Sequence, residues 1–236
     1  YSDATKGWLP VSDDAVADAP VAPVTQLAIF GFGDTGSATG VTNLVNSSGV
    51  IAADVSAVGT PRNDLSAAGY GVDKGIFRGG YTNTSVSMTN LVNSSGVVAS
   101  DVTGVGTGVT SGIGSSYGAD LAIFAYGNNG STTNEKNLVS SSGVVASTTS
   151  GAGTARYDCR GSEYGGDKAI IYGGRAGSTF YNTSNLISNQ GVIASDTTGV
   201  GTARIYLAGA SYNEKQNGVF AYGFDDSSNL NVKNLV

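Results

Sequence analysis

The sequence predicts an all-β fold, and within that class a five-bladed β-propeller of four-stranded antiparallel blades. Three observations carry this reading. A short apolar run recurs five times at intervals of 47 to 49 residues, over 27–33, 74–80, 121–127, 168–174 and 217–223. An Asn-Leu-Val signature follows each copy, at Asn43, Asn90, Asn137, Asn185 (with Ile187 in place of Val) and Asn234. Between the runs lies turn chemistry: 36 of the 236 residues are Gly, and Ser, Thr and Asn are abundant. A β-solenoid is the alternative, but its coils are usually shorter than this repeat.

The elements of one unit are read most clearly over residues 154–199. Residues 155–162, a mixed small and polar stretch, form the expected first strand. Tyr164-Gly-Gly-Asp167 then makes a tight turn, since Gly tolerates positive φ and Asp bonds to nearby backbone. The nearly continuous apolar run 168–174 is the second strand, expected to be buried on both faces. A polar loop leads to the third strand at 184–188, Asn189-Gln-Gly191 turns the chain, and 192–196 is the fourth.

Counting strands along the chain gives five second and third strands but four clear first and fourth ones. Residues 1–26 are therefore expected to close the last blade. Within them Gly7-Trp-Leu-Pro-Val11 reads as its missing fourth strand and Val21-Ala-Pro-Val-Thr25 as the first strand of the opening blade. Closure removes the edges that an incomplete circle would expose. The whole of 1–236 is then one domain, with repeats beginning near residues 27, 74, 121, 168 and 217.

The order of signatures resembles the kelch repeat. Ile171-Tyr-Gly-Gly174 and Ile76-Phe-Arg-Gly-Gly80 match the Gly-Gly that ends its second strand, and the other copies read Gly-Phe-Gly or Ala-Tyr-Gly. Thr-Ala-Arg at 154–156 and 202–204 stands where kelch units carry their lead-in. The chain departs from that family in lacking a fourth-strand Trp in every internal copy. In its richness in Gly, Ser, Thr and Asn it is also similar to the degenerate kelch-like arrays of bacteriophage tail and virion proteins. That resemblance implies a propeller fold and a virion, extracellular or cell-surface setting, with other virion or fibre subunits as partners.

Composition narrows the function. The net charge is −6 with basic residues scattered singly, so no Lys/Arg cluster exists to displace phosphate counterions, and nucleic acid is not an expected partner. No apolar stretch reaches the roughly 18 to 20 residues of a membrane-crossing helix, so no membrane insertion is expected. Histidine is absent, which removes Ser-His-Asp and Cys-His chemistry and most transition-metal sites. Cys159 aligns with Leu65 and Gly112 and reads as a small buried thiol. Glu163, unmatched in other copies, reads as a solvated charge. Neither a glycosidase-like carboxylate pair nor a phosphate-binding glycine loop stands out, and the chain is not expected to be an enzyme or to hold a cofactor.

What remains is recognition. The loop between second and third strands differs in every copy, whereas the turn between third and fourth is nearly fixed as Asn46-Ser-Ser-Gly49, Asn93-Ser-Ser-Gly96 and Ser140-Ser-Ser-Gly143. Loops on a rigid scaffold are where binding residues concentrate. The candidates are Tyr81, Asn83, Asn128, Asn129, Arg175, Phe180, Tyr181, Phe224 and Asp225, with the aromatics positioned to stack on sugar rings or protein side chains. The recurring Arg62, Arg156 and Arg204 are read as structural, with an anion-gripping row as the functional alternative. Two functions stand at this point: a non-catalytic module binding a surface glycan or protein, or a purely structural part of a virion or fibre.

Overall fold

In the computed structural model the described residues are 28–236, together with the backbone of 2–3 and 7–8. They are all-β: nineteen strands form small antiparallel sheets, and no helix occurs among them. Strands β1 (Ser2–Asp3) and β2 (Gly7–Trp8) pair with each other. Apart from that hairpin, the closing role expected of residues 1–26 lies outside the described residues.

Five sheets follow, one per repeat. The first is β3 (Ala28–Asp34) with β4 (Ala38–Val45). The second runs β5 (Ser66–Tyr70), β6 (Lys74–Arg78), β7 (Thr89–Val92). The third is β8 (Ile113–Tyr117), β9 (Leu121–Asn128), β10 (Thr132–Val139) and β11 (Thr149–Ser150), in that order. The fourth comprises β12 (Arg160–Tyr164), β13 (Lys168–Tyr172) and, after a small hairpin of β14 (Arg175–Ala176) and β15 (Thr179–Phe180), β16 (Ser184–Ile187). The fifth is β17 (Ala208–Tyr212), β18 (Asn217–Ala221) and β19 (Lys233–Leu235).

The apolar runs form the middle strands, as their pattern requires. Burial is nearly complete along β6, β9 and β13, which have a sheet on either side, and only partial along β3 and β18. The core lies between successive sheets. Ile113, Ile123 and Tyr126 of the third meet Cys159, Ile171 and Ile187 of the fourth, while Ile170 and Tyr172 of the fourth meet Leu207 and Phe220 of the fifth. Cys159 is completely buried, and that burial pushes its thiol pKa up.

The fourth strand departs from expectation. In most units it is reduced to two isolated bridges, Val45↔Ile51 with Thr42↔Val55, Val92↔Val98 with Thr89↔Val102, and Ile187↔Ile193 with Ser184↔Thr197. The register slips by one residue between the bridges of each pair, so a bulge interrupts the ladder. The signature Asn stitches that bulge. Nδ2 of Asn185 donates to the Ala194 carbonyl at 3.0 Å and to Asp196 Oδ1 at 2.9 Å, and Asn90 does the same to Ala99 and Asp101. A side-chain amide thus takes over bonds that a regular ladder would make with backbone.

The glycine ending each middle strand has a geometric cause. Gly33, Gly80, Gly127, Gly174 and Gly223 all adopt φ between 99° and 118°. The residue before each is also left-handed: Phe32, Gly79, Tyr126, Gly173 and Tyr222. An aromatic there carries a cost of about 1 to 2 kcal/mol. At Phe32 and Tyr126 the ring lies under the guanidinium of the next unit, with Arg62 4.2 Å and Arg156 4.8 Å from the ring centroids.

Inner strands of neighbouring sheets come close because their residues are small. A Cβ on Gly114 would collide with the Ala67 carbonyl of the preceding sheet, and one on Gly209 would lie 2.6 Å from the Gly161 carbonyl. Both ends of these strands are tied across units. Ser111 N donates to Asp64 O and Asp158 N to Ser111 O at one end, each at 2.9 Å. At the other, Gly71 N donates to Asp120 O and Gly118 N to Asp167 O, each at 2.7 Å. A cavity of about 670 Å³ is bordered by inner-strand residues of four sheets, among them Gly69, Ser115, Gly161 and Ala210.

Glu163 stands beside that cavity and is not a free surface charge. Its Oε2 accepts from Ser211 Oγ at 2.8 Å and its Oε1 from Ser116 N at 3.4 Å, so one carboxylate joins three units.

Candidate functional site

Two recurring arrangements compete for attention, one buried and one exposed. The buried one is the Arg row. Arg62, Arg156 and Arg204 are all completely buried. Arg156 Nη2 donates to Asn185 Oδ1 at 2.6 Å, its Nε to Gly173 O at 2.7 Å and its Nη1 to Thr154 O at 3.1 Å. Arg62 repeats this with Asn90, Gly79 and Thr60, and Arg204 Nη2 reaches Asn234 Oδ1 at 2.8 Å. With their donors turned to the protein, these guanidinium groups have no open face for an anion. The row is a structural lock within each unit, fastening its lead-in to its middle and third strands, and each guanidinium packs on a ring of the preceding unit, Phe32, Tyr126 or Tyr172.

Asp101 and Asp196 complete two of the locks. Burial alone would raise their pKa values. Hydrogen bonds from the Thr60 and Thr154 hydroxyls, from Asn90 and Asn185, and from the Thr backbone N–H, together with the nearby Arg, outweigh it and hold both below the usual carboxylate range. The third unit, where Val109 replaces the Arg, is filled from its neighbour. Arg78 of β6 donates through Nη2 to Val105 O at 2.9 Å and lies 5.8 Å over the Phe124 ring. With few partners to offset desolvation there, its pKa falls to about 10.

The exposed arrangement sits at one end of the sheets. There the segment leading into each inner strand bridges the loop that leaves each middle strand: Asn63↔Tyr81, Thr110↔Asn128, Tyr157↔Arg175 and Ile205↔Phe224. The variable loops and the lead-ins therefore share one surface. The fixed Asn-Ser-Ser-Gly turns lie at the opposite end, where Asn189 Nδ2 donates to Asp167 Oδ2 of the first hairpin turn of its unit.

The sequence candidates divide on this surface. Tyr81 is 44% exposed and bridges both Asn63 and Ser85, and Asn83 takes a left-handed φ of 78° at the tip of that loop. Asn128 and Asn129 turn their amide oxygens inward to their own loop, accepting from Gly130 N at 2.8 Å and Ser131 N at 3.2 Å. Asp225 is likewise occupied. Its Oδ1 accepts from the Ser227 hydroxyl at 2.7 Å and from the Ser227 and Ser228 N–H groups, and these bonds, the hydroxyl foremost, hold its pKa down. Tyr181 is half-buried and donates its backbone N–H to Gly174 O.

Arg175, Phe180 and Phe224 are brought together. Arg175 and Phe180 are cross-strand partners in the β14–β15 hairpin, and the Phe180 and Phe224 rings lie 6.4 Å apart. The structure adds three residues to them. Arg175 Nε donates to Asp158 Oδ2 at 2.9 Å and its Nη2 to Tyr206 Oη at 3.1 Å. Its Cζ stands 4.9 Å from the Tyr157 ring centroid and 5.7 Å from that of Tyr206. Burial pushes the Asp158 carboxyl pKa up against the pull of Arg175, while Asp158 and the two tyrosines outweigh burial to raise that of Arg175.

Tyr206 left one trace in the sequence. It occupies the position of Asp64, Ser111 and Asp158 in the other copies, all left-handed at φ 52–56°, and there an aromatic is the outlier. Tyr157 and Asp158 carried no such trace, because their role depends on a guanidinium arriving from a different strand.

The chain matches no protein-family model, and no curated protein shows significant similarity to it.

Proposed function

We propose that this chain is a five-bladed, kelch-like β-propeller closed by its N-terminal segment, acting as a non-catalytic recognition module. It binds a cell-surface glycan or protein through the variable loop end, as part of a phage tail or virion or of an extracellular adhesin. The fold reading is supported by five successive antiparallel sheets, by ties at both ends of the inner strands of the second to fourth, and by a cavity that inner strands of four sheets border. One observation carries the function. All four observed bridges between lead-in and loop gather the divergent segments on a single end, while the near-identical turns lie at the other. A scaffold whose divergence is concentrated at one end is suited to present that end.

The test is binding of the purified chain to a panel of surface glycans and to intact bacterial envelopes, beside a variant with Tyr81, Phe180, Tyr181 and Phe224 all changed to Ala. Saturable binding lost in the variant supports recognition through this end. A folded chain that binds nothing, and associates only with subunits of its own particle, establishes the second reading, a purely structural component. That reading is favoured by exposed apolar side chains on the outer segments, such as Ile51, Val97, Val144 and Val192.

A further inference from the structure

We infer that the Tyr157–Arg175–Tyr206 cluster is a binding subsite for an uncharged pyranose ring, with Tyr206 as the stacking platform and Arg175 as the hydroxyl-reading donor. This rests on the recognition reading above and names its ligand class and location.

Three features of the cluster point to a ligand. Tyr206 is 56% exposed, yet sits in a left-handed conformation, φ 54°, that an aromatic residue adopts at a cost. Arg175, 5.7 Å from the ring centroid and bonded to its hydroxyl, offsets part of this cost, and the exposed remainder of the ring, flat and apolar with a polar rim, suits the C–H face of a sugar. Arg175 is held between the Tyr157 and Tyr206 rings, with Asp158 bonded to its Nε edge. Of the five N–H donors of a guanidinium, two are used, by Asp158 and Tyr206, and the others make no hydrogen bond among the described residues. The side chain is 28% exposed, so the site is open to a ligand.

Charge decides the class of sugar. An arginine meant for a carboxylate or phosphate usually offers a side-on fork through Nε and one Nη. Here Asp158, only 6% exposed, already holds Nε and neutralises the guanidinium. The adjoining loop carries Asp225 and Asp226, and the chain has a net charge of −6. An acidic polysaccharide would approach a neutral ion pair flanked by carboxylates. A neutral sugar needs only donors for its hydroxyls and a face to stack on, and both are present.

The experiment uses the full chain and titrates it with neutral oligosaccharides (glucose-, galactose- and mannose-based) and with an oligogalacturonate, followed by tyrosine fluorescence and calorimetry. The variants are Tyr206→Ser, Arg175→Lys and, as a control at the opposite end of the sheets, Tyr212→Ala, where the tyrosine is 46% exposed. Ser is the residue of the third unit at this position, Ser111, with φ 52°, so Tyr206→Ser keeps a backbone that this fold already accepts there. The expected result is saturable binding of a neutral oligosaccharide, weakened at least tenfold by Tyr206→Ser and by Arg175→Lys and unchanged in Tyr212→Ala, with melting temperature unaffected by Tyr206→Ser. Neutral-sugar binding that survives Tyr206→Ser overturns the location. Tighter binding of the oligogalacturonate overturns the ligand class. A chain that binds envelopes but no saccharide overturns this inference and leaves the recognition reading standing, whereas one that binds neither overturns both.

Discussion

Asn43 and Asn185 are the same signature residue in two copies of the repeat, and their replacement by Ala should have very different costs. Asn185 is completely buried; its Oδ1 takes a 2.6 Å bond from Arg156 Nη2, and its Nδ2 satisfies Ala194 O and Asp196. Asn185→Ala leaves a buried guanidinium donor and a carbonyl without partners. A hydrogen bond to a charged group contributes about 1.5–3 kcal/mol and an orphaned buried group costs about 1–3 kcal/mol, so a loss of about 3 kcal/mol is expected after relaxation. Asn43 makes the corresponding bonds to Ala52 O and Asp54 in exposed surroundings. Water replaces them there, and Asn43→Ala should cost about 0.5–1 kcal/mol. For a chain of this size the melting temperature should fall by about 6–12 °C in the first case and by less than about 4 °C in the second. Thermal unfolding followed by circular dichroism reads both. The double variant Arg156→Met/Asn185→Ala should lose about 1 kcal/mol or more less than the two single losses summed, since it removes the uncompensated charge. Equal losses for Asn43→Ala and Asn185→Ala, or additive behaviour in the cycle, would refute the lock.

Three further outcomes follow from the same geometry. Gly114→Ala should destabilise by about 2 kcal/mol or more, because its Cβ strikes the Ala67 carbonyl across the sheet gap, while Gly75→Ala, whose Cβ meets Val92 Cβ at an ordinary 3.5 Å, should be neutral or mildly stabilising; urea titration of both decides. Arg78→Tyr should destabilise by about 2 kcal/mol by emptying the third lock, and adding Val109→Arg should recover most of that, reproducing the Arg204–Tyr172 pair that stands at 5.2 Å in the fifth unit; failure of the double variant to recover would show that Arg78 does not substitute for the missing Arg. Asp101 and Asp196 have folded-state pKa values below their unfolded ones, so their contribution is complete above the usual carboxylate range and disappears as pH falls through the lowered values. Unfolding midpoints between pH 5 and pH 2 should therefore drop less steeply in Asp101→Asn/Asp196→Asn than in the parent, and parallel profiles would contradict this.

The repeat was legible because backbone and burial requirements recur with it. The middle strands at 74–80, 121–127 and 168–174 announced themselves as apolar runs, and their closing glycines are demanded by a positive φ that the sequence itself encodes. The outer strand is less regular than its residues suggest. Residues 192–196 look like a β-branched strand, but a bulge breaks the ladder, and the amide of Asn185 that repairs it sits in another strand. The role of Glu163 is hidden from the sequence for a similar reason, since its partners Ser116 and Ser211 are 47 and 48 residues away and belong to neighbouring units.

The sequence by itself determined the class, the periodicity and which loops vary, because local propensity and a five-fold repeated pattern are properties of the chain. Tertiary structure alone decided what identical letters do. Arg62, Arg156 and Arg204 became buried locks because the next signature Asn faces them, and Arg175 became an exposed, ring-flanked donor because Asp158 and Tyr206 arrive from lead-ins 17 residues before it and 31 residues after it. Burial and partnership are set by which strands meet, within a unit for the Arg–Asn locks and across units for Arg175 with Tyr206, and no single segment of the repeat carries that information.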